Sequence, residues 1–536
     1  MKFENASRLV GTSLLAAVAW CVGVSLPGQA QAAQPGAAVK APAKVRVIVA
    51  FKPGSGAGAR AAIAGAGGRV LLDLDEADGV AIELPASAVA ALRRSPHVEF
   101  VEDDPVRHAF RPPGSQVRRP ALLPARSPEQ VPYGIPMVQA DLVSDALASD
   151  RMLCIIDSGI DRGHADLAGI SVDGVNLTDS GRWFTDENSH GTHVAGIVAA
   201  VDNAIGVVGV LPHRRISLFI AKVFDAEGSA PSSLIARAML HCMRARANVV
   251  SMSLGGATTS RIEARVADLL ARRNMLVIAA AGNEGDDTVS YPAGFASVVS
   301  VAAVDASKTV ASFSQFNSDV ELAGPGVDVL STVPVGSQIG ASLKVGATNY
   351  PVGELEGSPF ATATGPLADF GFGDAPAAGS MSGKICLISR GAISFAAKVL
   401  NCQDSGGVGA VVYNNAPGDV NGTLGTTVTT IPSVGALQTD GALMLGQLGQ
   451  PATVAVFPTR DAYAYYSGTS MSTPYVSGVA ALVWSYFPHC TASEIRASLD
   501  KSAQDLGTPG RDVYYGFGLV QAKAAHTRIG MLGCGH

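Results

Sequence analysis

The chain has 536 residues, 47% of them hydrophobic and 16% charged, with 60 Gly and 30 Pro. That length exceeds one typical domain, and the composition is too apolar for a disordered chain, so several compact, loop-rich units are expected. A net charge of -6, with Lys and Arg scattered along the chain, offers no footprint for a phosphate backbone and excludes nucleic acid as an expected partner.

In chain order, Lys2 and Arg8 precede an apolar run from Leu14 to Leu26 and the small-residue pattern Ala30-Gln31-Ala32, the layout of a signal peptide over 1–32. The run is about 13 residues, short of the ~20 that span a bilayer, so export without a membrane span is expected. The exported chain is then secreted or held at a cell envelope. Six cysteines follow Cys21, an even count that permits disulfides in an oxidising compartment. Cys386 with Cys402 and Cys490 with Cys534 are the nearest pairs in sequence, whereas Cys154 and Cys242 read as small buried residues.

Within 33–110, residues 44–107 read as a small α/β unit: strands at Val45–Ala50, Gly79–Leu84 and Val98–Glu102, with a helix from Ser87 to Arg94. Residues 111–128, with Pro112-Pro113 and Arg118-Arg119-Pro120, read as an exposed linker open to proteolysis. From 129 to 334, strand candidates at Met152–Ile156, Ile216–Val223, Val249–Ser253, Leu276–Ala280 and Val298–Val304 alternate with helix candidates at His193–Val201, Ser233–Arg246 and Ser260–Asn274. This alternation predicts an α/β fold, a parallel sheet with helices on both faces. Residues 335–457, rich in Gly, Thr and Ser, break the rhythm and read as an inserted domain; the α/β pattern resumes over 458–527 and leaves a tail at 528–536.

Three short segments carry candidate chemistry. Ile155-Ile156-Asp157-Ser158-Gly159 ends a strand on a carboxylate, which alone is as often a turn residue. His190-Gly191-Thr192-His193 opens a helix, and its i, i+3 histidines read alternatively as a metal pair or a cap. Gly468-Thr469-Ser470-Met471-Ser472-Thr473-Pro474 sets a serine at a glycine turn before a helix. Together they supply a nucleophile, a base and a carboxylate that fixes the base's tautomer. A fourth segment, Ala279-Ala280-Ala281-Gly282-Asn283, ends a strand on an amide able to donate to a developing oxyanion.

These four segments resemble those of the subtilisin-like serine proteases over nearly all of residues 130–527. The resemblance implies a secreted endopeptidase with Asp157 as orienter, His190 as general base and acid, Ser470 as nucleophile and Asn283 as oxyanion donor. It implies Gly228, Ser253, Leu254, Gly255, Ala280 and Gly282 along the substrate backbone and the small Ser290 flooring a roomy P1 pocket, hence broad specificity favouring large apolar or aromatic P1 residues. The loop from Ala200 to Gly209 resembles the family's calcium loop, with Asp166, Val201, Asn203, Ile205 and Val207 as ligands of a structural Ca²⁺ and either Glu129 or Gln130 as the N-terminal one. No organic cofactor is implied. Residues 44–108 resemble an inhibitor-like prosegment that aids folding and blocks the cleft, with Phe110 as the P1 residue of self-cleavage. Gly383–Gly391 and Gly407–Asn415 resemble a protease-associated domain, read either as a partner contact or as a spacer. A monomer acting on proteins or peptides is expected. An inactive binding scaffold and an esterase or amidase are the competing readings: unlabelled Ser470 marks the first, and the paired backbone-binding segments disfavour the second.

Overall fold

A computed structural model describes residues 43–110, 123–124 and 127–536, apart from 419, 421 and 426. The expected signal peptide and nearly all of the expected linker lie outside these residues. Seven strands form one parallel sheet in the order Val320–Pro325, Val298–Val304, Leu276–Ala280, Val249–Met252, Met152–Asp157, Ser217–Lys222, Ser171–Asn176. Their side chains alternate between two apolar layers, as a pleated strand covered on both faces requires. Leu153, Ile155, Leu276 and Ile278 face one layer with the helices His190–Ala199 and Thr469–Tyr486, while Cys154, Ile156, Val277 and Ala279 face the other with Ser232–Arg244 and Arg261–Arg272. The α/β expectation is met; the strands at Ser171–Asn176 and Val320–Pro325 are additions to it. From Met152–Asp157, the fifth strand in that row, the later strands run out both ways, which opens a crevice at the carboxyl ends of the strands, where α/β sheets bind ligands.

The insertion leaves and re-enters the host at one place. Val329–Thr332 pairs antiparallel with Asp461–Tyr466, and Val333 N–H donates to Ala462 O at 2.7 Å. Between them, an eight-stranded sheet includes a parallel run, Ala361–Asp369, Ile385–Ser389, Gly409–Tyr413, Ser433–Ala436, with helices at Phe395–Asp404 and Gln438–Leu445. The module is thus built mainly of strands, with two short helices beside its sheet. Sulfur atoms lie at bonding distance in Cys386–Cys402, Cys490–Cys534 and Cys154–Cys242. The last pair joins the strand Met152–Asp157 to helix Ser232–Arg244, where small buried residues were expected.

Residues 44–103 fold on their own core of Val47, Val49, Ile63, Ile82, Leu84 and Val98 beneath a four-stranded antiparallel sheet, ordered Arg69–Leu74, Gly79–Pro85, Lys44–Phe51, Val98–Asp103. The sheet's other face, with Ile48, Ala50 and Phe100, packs on the two helices behind the cleft. Its carboxylates close those helices' N-termini. Helix Ser232–Arg244 has no side-chain cap of its own at Pro231. Asp104 accepts from Ser233 N at 2.9 Å and from the Ser232 and Ser233 hydroxyls. Glu102 accepts from Arg261 N at 2.9 Å and Ile262 N at 3.0 Å. Each carboxylate satisfies orphan donors and sits at the positive end of a helix dipole.

Replacing Glu102 and Asp104 together by Ala is expected to lower the opening free energy of the Lys44–Phe51 amides by about 1–4 kcal/mol, two lost caps at ~0.5–2 each. Native-state hydrogen exchange on a Ser470→Ala background checks this.

Candidate active site

Asp157 is the last residue of the strand Met152–Asp157, and Gly159, at φ 115°, turns the chain away in a conformation suited to glycine. His190 is the first residue of its helix, brought against that turn because Gly191 lies where a Cβ would meet Gly159 O at 2.2 Å. Both side chains are buried, and His190 Nδ1 lies 2.8 and 3.0 Å from the two carboxylate oxygens of Asp157. Ser158 N donates to Asp157 Oδ1 at 2.7 Å. With Nδ1–H held by Asp157, Nε2 is the basic nitrogen. Nε2 is buried and has no hydrogen-bond partner among the described residues.

Ser470 stands in the first turn of helix Thr469–Tyr486, after Gly468. Its hydroxyl oxygen lies 3.0 Å from Ser253 O and 3.1 Å from Phe110 O. Asn283 follows the strand Leu276–Ala280. Its Oδ1 accepts from Thr469 N at 2.9 Å and Thr469 Oγ1 at 2.8 Å, which turns Nδ2 toward Phe110 O at 3.4 Å. Gly282, at φ 115°, admits no side chain: a Cβ there would sit 1.3 Å from Gln315 Oε1.

Phe110 reaches this point at the end of a strand. Val106–Ala109 is the middle member of a three-stranded antiparallel sheet between Ser229–Pro231 and Leu254–Gly255, with His108 opposite both Ser229 and Gly255. Ala109 N also donates to Gly228 O at 3.0 Å. A Cβ on Gly255 would lie 2.6 Å from Phe110 Cζ and 2.5 Å from Ser290 Oγ, so the Phe110 ring and Ser290 meet beside Gly255. Ala280 is buried at the end of its strand. The structure thereby brings Asp157, His190, Ser470, Asn283, Gly228, Ser253, Leu254, Gly255, Gly282, Ser290 and Phe110 to one crevice.

Asp166 lies elsewhere, fully buried beneath the loop 200–209. It accepts from Asn203 Nδ2 at 2.9 Å and Val207 N at 2.8 Å, while Glu129 accepts from Asn203 N at 2.8 Å and Ala204 N at 3.0 Å. Of the two N-terminal candidates it is therefore the Glu129 side chain that meets the loop; Gln130 meets it through its backbone, N to Gly206 O at 2.7 Å. The Val201 and Ile205 backbones belong to the same loop. Among the described residues no cationic side chain pairs with Asp166 or Glu129, and burial together with these two carboxylates drives the Tyr463 phenol upward. Two carboxylates, an amide and an uncompensated negative field are a donor set that fits a hard cation.

Several positioning residues escaped the sequence reading. Thr469 orients the Asn283 amide. Lys222 is fully buried at the end of an apolar strand and donates to Ser158 O at 2.8 Å and Thr185 O at 3.1 Å while pairing with Glu187, so it ties the turn after Asp157 to the loop before His190. A lone lysine closing an otherwise apolar strand was the available signal.

Residues 149–364 and 416–518 match the subtilase family, 362–444 the PA domain and 29–104 the fervidolysin N-terminal prodomain. Subtilisin NAT of Bacillus subtilis subsp. natto is 35% identical over 314 residues, 56% of this chain and 76% of that protein. Subtilisin DY of Bacillus licheniformis is 40% identical over 212 residues, 38% of this chain and 76% of that protein. Among solved structures, the psychrophilic subtilisin-like protease Apa1 from the Antarctic psychrotroph Pseudoalteromonas sp. AS-11 is 40% identical, with a TM-score of 0.53 over 76% of this chain and 99% of that one.

His193 is not paired with His190 on a metal. Its Nε2 lies 3.0 Å from Ala464 O and 3.1 Å from Val329 O, and its ring stacks on Tyr466 at 4.3 Å. Burial pushes its pKa down to about 3. The fold thus keeps this imidazole neutral where the unfolded chain, with an ordinary value near ~6.5, binds a proton. Stability is therefore expected to fall as pH drops from ~6.5 toward ~3. His193→Gln, which retains an N–H donor, should flatten that fall, as checked by melting temperatures between pH 7 and 4 on a Ser470→Ala background.

Proposed function

The chain belongs to the subtilase family and is a subtilisin-type serine endopeptidase, and on that premise we propose that Asp157, His190 and Ser470 are its triad and the Phe110–Arg111 bond its first substrate. The observation that carries this reading is the seating of Phe110: its carbonyl oxygen lies 3.1 Å from Ser470 Oγ and 3.4 Å from Asn283 Nδ2, at the end of a strand held by both cleft edges.

In this reading Ser470 Oγ attacks the Phe110 carbonyl carbon while its proton passes to His190 Nε2. Asp157 holds the opposite ring nitrogen and stabilises the imidazolium that forms. The carbonyl oxygen takes up negative charge facing Asn283 Nδ2, already 3.4 Å away before reaction, with the Ser470 backbone N–H as the second donor. His190 then returns the proton to the leaving amine of Arg111, and water, deprotonated by the same nitrogen, releases the acyl group.

Cleavage in place leaves the prosegment bound through its helix caps and its cleft strand, so it acts as folding aid and inhibitor until degraded. The linker is then trimmed to a start near 127–130. Gly255 and Ser290 give the pocket room for large apolar or aromatic P1 side chains. The three disulfide pairs support export to an oxidising compartment, with residues 1–32 as the signal. Ca²⁺ held by Asp166, Glu129, Asn203 and carbonyls of Val201, Ile205 and Val207 would pin the loop 200–209 to the start of the catalytic domain and neutralise the two carboxylates.

The purified chain is expected to yield a new C-terminus at Phe110, read by mass spectrometry, and to react with a fluorophosphonate at Ser470 once the prosegment has gone. Pure Ser470→Ala protein that still breaks after Phe110 would refute self-cleavage. In subtilisin, loss of its Asn oxyanion donor costs about 10²–10³ in kcat. Asn283→Ala is expected to fall in that range, with little change in KM, in a peptide-amide assay. EDTA is expected to lower the melting temperature of the Ser470→Ala protein and added Ca²⁺ to restore it; identical melting curves would sink the calcium assignment.

A further inference from the structure

Arg107 and Glu263 are both 0% exposed. Arg107 Nη2 donates to Glu263 Oε2 at 2.6 Å, and Nε lies 3.2 Å from Oε2 and 3.3 Å from Oε1, a side-on pairing of guanidinium with carboxylate. Taking two such groups out of water costs several kcal/mol per ion unless they meet, so neither occupies this place by default.

Arg107 comes from the docked strand and Glu263 from the helix behind one cleft edge. Arg107 is three residues before Phe110 on the docked strand, which makes it P4 when Phe110 is P1. Along that strand Arg107 and Ala109 are buried and Val106 and His108 exposed, so the P4 and P2 side chains face the enzyme. Glu263 lies in the first turn of helix Arg261–Arg272, beyond the edge strand Leu254–Gly255. Its backbone N–H goes to Ser260 Oγ, but its carboxylate has no side-chain partner other than Arg107 among the described residues. Gly256 leaves room beside the arginine: a Cβ there would lie 2.8 Å from Val106 O and 3.4 Å from Arg107 Nη1. The carboxylate therefore has a structural role only while an arginine lies in the cleft, and it stays in the pocket when the prosegment departs.

We propose that Glu263 is the specificity-determining residue of a P4 subsite selective for arginine, so that favoured substrates read arginine, any residue, a small residue, then a large apolar or aromatic residue before the cut bond. This rests on the reading of Phe110 as P1. It narrows the broad specificity that main-chain recognition alone implies. Lysine is disfavoured because a single ammonium does not reproduce the two-nitrogen contact.

The processed enzyme is assayed on four peptide amides that differ only at P4: Arg-His-Ala-Phe, Lys-His-Ala-Phe, Leu-His-Ala-Phe and Ala-His-Ala-Phe, each with a chromogenic leaving amine. Arginine is expected to exceed alanine and leucine by about 10–100-fold in kcat/KM, the range for a charge-assisted contact, and to exceed lysine by a smaller factor. Glu263→Leu, made together with Arg107→Leu so that no buried charge is orphaned during maturation, is expected to prefer leucine over arginine while cutting the leucine peptide well, which shows the variant is folded. Equal rates on all four peptides, or an arginine preference that survives Glu263→Leu, overturns the P4 assignment and leaves the protease reading standing. Failure to cut any peptide while Ser470 reacts with a fluorophosphonate overturns the P1 reading, and the P4 assignment falls with it.

Discussion

A strand hydrogen-bonded on both sides cannot slide. Val106–Ala109 lies between Ser229–Pro231 and Leu254–Gly255, and a one-residue slip would turn every side chain to the opposite face. It would expose Arg107 and Ala109, bury His108 and Val106, and withdraw the Phe110 carbonyl from Ser470. The placement of Phe110 at Ser470 and of Arg107 at Glu263 is thus set by the same ladder. Main-chain hydrogen bonds, indifferent to side-chain identity, set the register; the side chains are then tested where the register puts them.

That ladder has meaning only because the parallel sheet gathers distant parts of the chain at one edge. Asp157, Ser253 and Asn283 all lie at or just beyond the carboxyl ends of strands, and the helices that carry His190 and Ser470 start over the same edge. Buried polar groups then hold the pieces in relation. Thr469 fixes the Asn283 amide, Lys222 staples the turn after Asp157, and Ser158 donates its backbone N–H to Asp157 and its hydroxyl to Asp186, whose other oxygen caps the His190 helix at Thr192. Each of these groups would be costly if unpartnered, so the network admits few alternative arrangements.

The central sheet and the residues of the crevice were legible in the sequence because their constraints are local. A strand ending on Asp157 before Gly159, or a serine between Gly468 and a helix, shows its chemistry within a few residues. Glu263 was not legible. It occupies an ordinary amphipathic helix, one acid among several charges, and its role arises from Arg107, 156 residues away in sequence. Thr469 and Lys222 were hidden for the same reason, since their partners lie across the fold. Cys154 with Cys242 looked like packing because both lie in apolar runs, and adjacency of strand and helix is a tertiary fact. The inserted module's two short helices were hidden in its Gly- and Thr-heavy composition, because their periodicity is weak.

The insertion begins beyond Val333 and ends before Ala462, residues joined by a backbone hydrogen bond. To the host fold the intervening module is therefore a hairpin whose turn happens to be a domain. The host strands pair as they would across a short loop, and the entropy of closing the longer path is met by the module's own folding, because its strands Ile339–Val345 and Pro451–Pro458 bring its ends together. A cassette attached in this way can be lengthened, replaced or reshaped over evolutionary time at little cost to the register of the strand that leads to Ser470.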